Sequence, residues 1–180
     1  LGYTAVYNER QRSIQYLRQV KELMGQLGIV GMVENEMIQR FETHLAEPDS
    51  LSKIILEAYS MINEHFNLNQ QEDMGLLILS GCYLEGLYLT LNSYQEDQPL
   101  PLIVKLLDQH ETFLQNLLEL SDLFVYKGES NILFNAMPGI ASDITAVKDH
   151  IYNGASQEDV KTSLDNLRNR VNRVRNELIR

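Results

Sequence analysis

A single cysteine, Cys82, stands in the chain of 180 residues. No disulfide can form within it, and no cysteine cluster can hold a metal. That excludes a disulfide-built scaffold but does not fix the compartment. Basic residues are also scarce, with 15 Lys and Arg against 25 Asp and Glu, for a formal net charge of −10. Phosphate backbones and anionic lipid attract basic surfaces, so nucleic acid and anionic membrane surfaces are not expected partners. Strand-like alternation is hard to find. No histidine has a glutamate three residues before it, and His-Glu-x-x-His is absent. Di-iron and zinc chemistry on a helix therefore has no support, and neither metal nor cofactor is expected.

What is present is helical spacing along nearly the whole chain. Over about 3–26, Tyr3, Tyr7, Ile14, Leu17 and Met24 form one stripe, and Gly25 and Gly28 supply a stop. Val33, Met37, Phe41 and Leu45 follow at steps of four over about 33–46, and Pro48 ends that segment. Asp49 or Ser50 is expected to cap a third helix reaching about Phe66. A fourth runs over about 70–93 and a fifth over about 101–124. In 125–141, Lys127-Gly128 and Pro138-Gly139 read as turns, before a helix near 142–152 that ends at Asn153-Gly154. The last helix, about 157–180, opens at Ser156, with Asp159 mimicking a capping box. Its apolar residues Val160, Leu164, Leu167, Val171, Val174 and Leu178 form a heptad seam. With short connections, these elements predict an all-α antiparallel bundle of about six to seven helices, forming a single domain over 1–180.

The one long apolar run, Met74 to Leu91, has Glu85 as its only charge and glycines at 75, 81 and 86. A helix apolar all round must be enclosed by protein or lipid. Apolar faces on the other helices need something to cover, so a buried central helix is expected rather than a transmembrane span. The glycines would then let neighbouring helices approach, and Cys82 reads as a small core residue.

Glu85 is the sharpest candidate, because an enclosed carboxylate must be hydrogen-bonded, paired or protonated. Tyr83 and Tyr88 lie beside it in sequence, and His110 falls on the apolar stripe of the fifth helix. These four form a candidate ligand site, although internal polar ties explain Glu85 and His110 as well. Gly81-x-x-x-x-Gly86 lacks the Lys-Ser/Thr of a phosphate loop, and Ser80 and Cys82 have no local base. No catalytic residue is assigned. The arginines of 157–180 read as a solvated face over the seam. A homo-oligomer docking through those residues is the livelier alternative.

Two stretches carry a family resemblance. The first holds Tyr3 to Asn8, Tyr16 to Leu23, Gly28-Ile29 and Ile38 to Glu42; the second runs from Asp49-Ser50-Leu51 into Leu77 to Leu89. Together they resemble an uncharacterised family of all-helical bacterial lipoproteins exported to the cell envelope of anaerobic gut-type bacteria. Members show Gly-Gly-Trp-x-Glu-x-Leu-Tyr in the central helix. Here Ser80-Gly81-Cys82 occupies the Gly-Gly-Trp place ahead of Glu85-Gly86-Leu87-Tyr88. The chain opens on Leu1 without a basic-then-apolar leader, which reads as a mature or trimmed fragment. The resemblance implies a lipid-bearing cysteine upstream of Leu1 and a periplasmic or outer-membrane location. It brings no activity. The expectation is a non-enzymatic envelope domain that binds a partner protein or small ligand. The alternative is a ligand sensor or enzyme with a pocket around Glu85 and His110.

Overall fold

The computed structural model describes residues 3–4, 7, 9–29, 35–44, 47–95, 98–124 and 130–179. Among them the chain is all-α: seven helices and no strand. They are α1 (Arg10–Gln26), α2 (Asn35–Thr43), α3 (Pro48–Leu68), α4 (Glu72–Ser93), α5 (Leu100–Ser121), α6 (Ser130–Tyr152) and α7 (Gln157–Leu178). Packing divides the chain into two compact units, Leu1–Gly75 and Leu76–Arg180.

In the first unit, α1 closes as its glycines predict. Gly28 takes the left-handed φ of +72°, and the Ile29 N–H reaches back to the Met24 carbonyl at 2.9 Å. This satisfies a carbonyl at the helix end and seats Ile29 in the core. Leu17 and Met24 are buried, but Tyr3 and Tyr7 are exposed, their rings tilted against each other with centroids 4.5 Å apart. They therefore do not serve the inward stripe expected of them. Pro48 does not merely stop a helix; it opens α3 at the first turn, where proline's missing N–H costs nothing. The expected Asp49 or Ser50 cap is absent, and Ser50 Oγ donates instead to Glu47 Oε2. Residues 33–34 and 45–46 of the predicted second helix lie outside the described residues.

The second unit is built on α4 to α7. Its core joins Leu87 and Leu91 of α4, Ile103 and Leu107 of α5, Met137, Ile140 and Ile144 of α6, and Leu167 and Val171 of α7. The heptad seam is buried as its period requires, from Val160 through Val174, with Leu178 packed at its edge. Ser156 caps α7, accepting from the Asp159 N–H while its own hydroxyl donates to Asp159 Oδ2. At the other side of that turn, Gly154 at φ +65° closes α6.

The predicted break at Pro138-Gly139 does not occur. α6 runs unbroken from Ser130 to Tyr152 with Pro138 inside it. Pro138 is exposed, whereas Met137, Ile140, Ile144 and Val147 are fully buried. An interior proline costs about 3 kcal/mol. Four buried side chains, each contributing about 1.5–3 kcal/mol, outweigh it.

α4 is the one described helix long and apolar enough to cross a membrane by length and composition. Its buried side is Leu76, Ser80, Tyr83, Leu84, Leu87 and Leu91. Gly81 and Cys82 are exposed, so Cys82 is not a core residue. Of the three glycines expected to be close-packing points, only Gly75 is one: a Cβ there would lie 3.0 Å from Asn63 Oδ1 of α3. A Cβ on Gly81 would meet nothing within 4 Å, and one on Gly86 only His110 Cε1 at 3.9 Å. A closer approach is at Gly139 of α6, where a Cβ would lie 2.7 Å from Arg170 Nη1.

Candidate functional site

The four predicted site residues fall into two groups on different sides of α4. Residues two apart on a helix point about 200° from each other, so Glu85 cannot face with Tyr83. It faces α7. Arg175 Nε donates to Glu85 Oε2 at 2.6 Å and Nη2 to Oε1 at 3.1 Å, while its Cζ sits 4.3 Å from the centre of the Tyr88 ring. This is a two-pronged ion pair laid over an aromatic face. The pair is part exposed, with Glu85 at 46% and Arg175 at 27%. Glu85 is therefore neither sealed in the core nor unpartnered.

Tyr83 and His110 meet on the opposite side, between α4 and α5. The His110 ring stands edge-on to Tyr83 with centroids 5.7 Å apart, and Phe113 stacks on Tyr83 at 5.6 Å. Thr90 Oγ1 donates to the Gly86 carbonyl at 3.0 Å. The same oxygen shares a hydrogen bond with His110 Nε2, also at 3.0 Å. Burial holds the His110 pKa below its ordinary value. Burial, and then the nearby Glu111 charge, push the Tyr83 phenol upward. Tyr83 OH and Ser80 Oγ are both buried, with no hydrogen-bond partner among the described residues. His110 is thus a neutral helix-to-helix tie, as a histidine on an apolar stripe tends to be.

The other charges near these groups are likewise engaged. Lys148 of α6 lies 2.6 Å from both Asp108 and Glu111 of α5, and these hydrogen bonds hold its pKa above the usual range. Arg170 of α7 pairs with Asp143 of α6 at 2.5 Å. Three arginines of α7 therefore serve its own unit: Arg170 toward α6, and Arg168 and Arg175 toward α4. These three are part-buried ties to neighbouring helices rather than a solvated face. Among the described residues, no cluster of three metal-ligating side chains exists.

A cleft of about 420 Å³ opens elsewhere in the unit, between Tyr94 and Leu100 on one side and the first turns of α7 on the other. None of Tyr83, Glu85, Tyr88 and His110 lines it. Its apolar floor is Tyr94, Val160 and Leu164, all buried. Along its α7 wall stand Glu158, Lys161, Asp165 and Arg168, alternating in sign at steps of three and four. Tyr94 OH donates to the Gln98 carbonyl at 3.0 Å, fixing the connection into α5. Arg168 is held by the last turn of α4, where Nε and Nη2 both donate to the Leu91 carbonyl. Sequence reading passed over this wall because charge beside a heptad seam is what any solvated helix shows. The missed signal is Arg168 beside Leu167, flanking the seam where it can reach a neighbouring helix. No protein family, curated protein or solved structure matches the chain.

Proposed function

We propose that this chain is a non-enzymatic helical domain of the bacterial cell envelope that binds a small ligand or a partner protein. The observation that carries the binding reading is the cleft at the α7 wall. Its volume of about 420 Å³ lies within the range of small-molecule pockets, about 300–1,000 Å³. It joins an apolar floor to several polar groups, the mixture that both holds and orients a ligand. The residues that first suggest chemistry support the non-enzymatic reading, since Glu85 is taken up by Arg175 and His110 by Thr90. The envelope location rests on the resemblance to the lipoprotein family, carried by the segments around Tyr3 to Asn8 and Glu85 to Tyr88.

Two experiments test this. Thermal-shift screening of the purified chain against envelope metabolites should find a compound that raises Tm in a concentration-dependent way. If neither a compound nor a defined envelope protein binds, the binding reading fails. Fractionation of source cells should place the protein in a membrane fraction released by detergent. Recovery in the cytosol would overturn the location.

A further inference from the structure

α1 carries more apolar surface than its own unit covers. Leu17 and Met24 are buried, yet Tyr16 and Leu23 directly before them stand exposed, as do Val20 and Leu27. The positions 16, 20, 23 and 27 step by four, three and four, the spacing of a coiled-coil seam. One step further back on that seam is Ser13, hydrogen-bonded to Thr4 Oγ1 at 3.0 Å. That bond brings the exposed pair Tyr3 and Tyr7 to the head of the row. The six large side chains are 37–63% exposed. An aromatic side chain offers about 150–250 Å², so the three tyrosines alone leave roughly 300 Å² open and the six on the order of 500 Å². That reaches the upper part of the range for the largest apolar patch on a monomer, about 300–600 Å², and such patches mark interaction sites.

We infer that this row is where two copies of the chain pair. Beside the seam, on the side away from Leu17 and Met24, stand Arg12, Gln19 and Gln26, all exposed. Arg12 is already bridged to Glu9 at 2.8 Å. In a chain of net charge −10, most pairings of two copies set acid against acid. Here tyrosine, aliphatic and glutamine side chains meet, so like charges are not brought into contact. The seam also specifies the shape of its partner, a helix of the same spacing, and a second copy supplies one by symmetry. Tyrosine is itself enriched at protein interfaces. Covering the row on both copies removes on the order of 1,000 Å² from water, the lower bound of a specific interface, so the pairing is weak and reversible. The apolar seam of α7 is taken up by its own core, which leaves pairing to α1. This inference goes beyond the binding reading and stands whether or not the cleft holds a ligand.

The test is sedimentation velocity of the 180-residue chain over a range of about 5 to 500 μM. A reversible monomer–dimer equilibrium with a Kd of about 50 μM is expected. The paired groups are uncharged while both copies are acidic, so raising salt from about 0.05 to about 0.5 M should tighten the dimer about threefold. An ionic pairing through the arginines of α7 would weaken instead. Leu23→Gln and Val20→Gln each change an exposed side chain. Each should weaken the dimer at least about tenfold without loss of helical circular dichroism. Leu123→Gln, exposed but in the second unit, should leave the Kd unchanged. A chain that stays monomeric at the highest concentration overturns the inference. So does a dimer that salt weakens, that both α1 variants leave intact, or that Leu123→Gln weakens equally.

Discussion

Arg175 grips Glu85 through two hydrogen bonds across 90 residues of sequence, with Tyr88 beneath the guanidinium. Two further ties join the same helices: Arg168 to the Leu91 carbonyl, and Asn92 to Asn172 at 3.5 Å. Glu85 early on α4 meets residue 175 of α7, whereas Leu91 and Asn92 later on α4 meet the earlier residues 168 and 172, so the helices run antiparallel and the three ties form a polar edge to an otherwise apolar core. The most conspicuous charge of the greasy run is thus a positioning group for α7.

Removing that grip should cost little, because both partners are part exposed and water screens them. Glu85→Gln is expected to destabilise by about 1 kcal/mol, and Tyr88→Leu by about 0.5 kcal/mol through the lost cation–aromatic contact. Urea unfolding of the two variants and of Arg175→Met, combined in double-mutant cycles, measures the coupling. Added salt should shrink the Glu85 effect.

Tyr83→Phe should raise stability by about 1 kcal/mol, since the buried hydroxyl has no hydrogen-bond partner among the described residues. The stacking on Phe113 survives the change. A loss of stability in thermal or urea unfolding would show that the hydroxyl has a partner after all.

Gly81→Ala should stabilise by about 0.5–1 kcal/mol, because a Cβ there meets nothing and alanine favours the helix. Gly139→Ala should gain far less. The new methyl group would crowd the Arg170 guanidinium and strain its pairing with Asp143. Equal gains at both sites in urea titrations would contradict the packing described.

His110 gives a pH signature. Its folded pKa is depressed by burial, so the unfolded chain takes up a proton first as pH falls below about 6.5. The stability linked to a neutral His110 is complete above that value. It is lost progressively as pH drops from there toward the folded pKa. Unfolding free energies measured between pH 7 and about 5 should decline, and His110→Gln should flatten the slope.

How much of this could be read from the residues depends on the reach of each cause. The α7 seam, the Ser156 cap and the glycine closures at 28 and 154 are local, and they form where the spacing places them. The all-helical bundle follows from the same periodicity. Pro138-Gly139 reads as a turn because its local preferences favour one, yet the burial of Met137, Ile140 and Ile144 decides otherwise. Pro48 is ambiguous by nature, since proline both ends one helix and begins the next. The partner of Glu85 is invisible because no local rule pairs residues 85 and 175. The separation of Tyr83 from Glu85, by contrast, was legible in the helical angle. The cleft needs three helix ends to meet, and no single segment announces that.

The most direct measurement is a residue-resolved amide map of whichever compound the thermal screen selects. Shifts should concentrate in 94–100 and 157–168, leaving 83–90 and 110–113 unmoved. Shifts centred on Glu85, Tyr83 and His110, with the α7 wall silent, would contradict the assignment of those residues to helix-to-helix ties and return the binding site to α4.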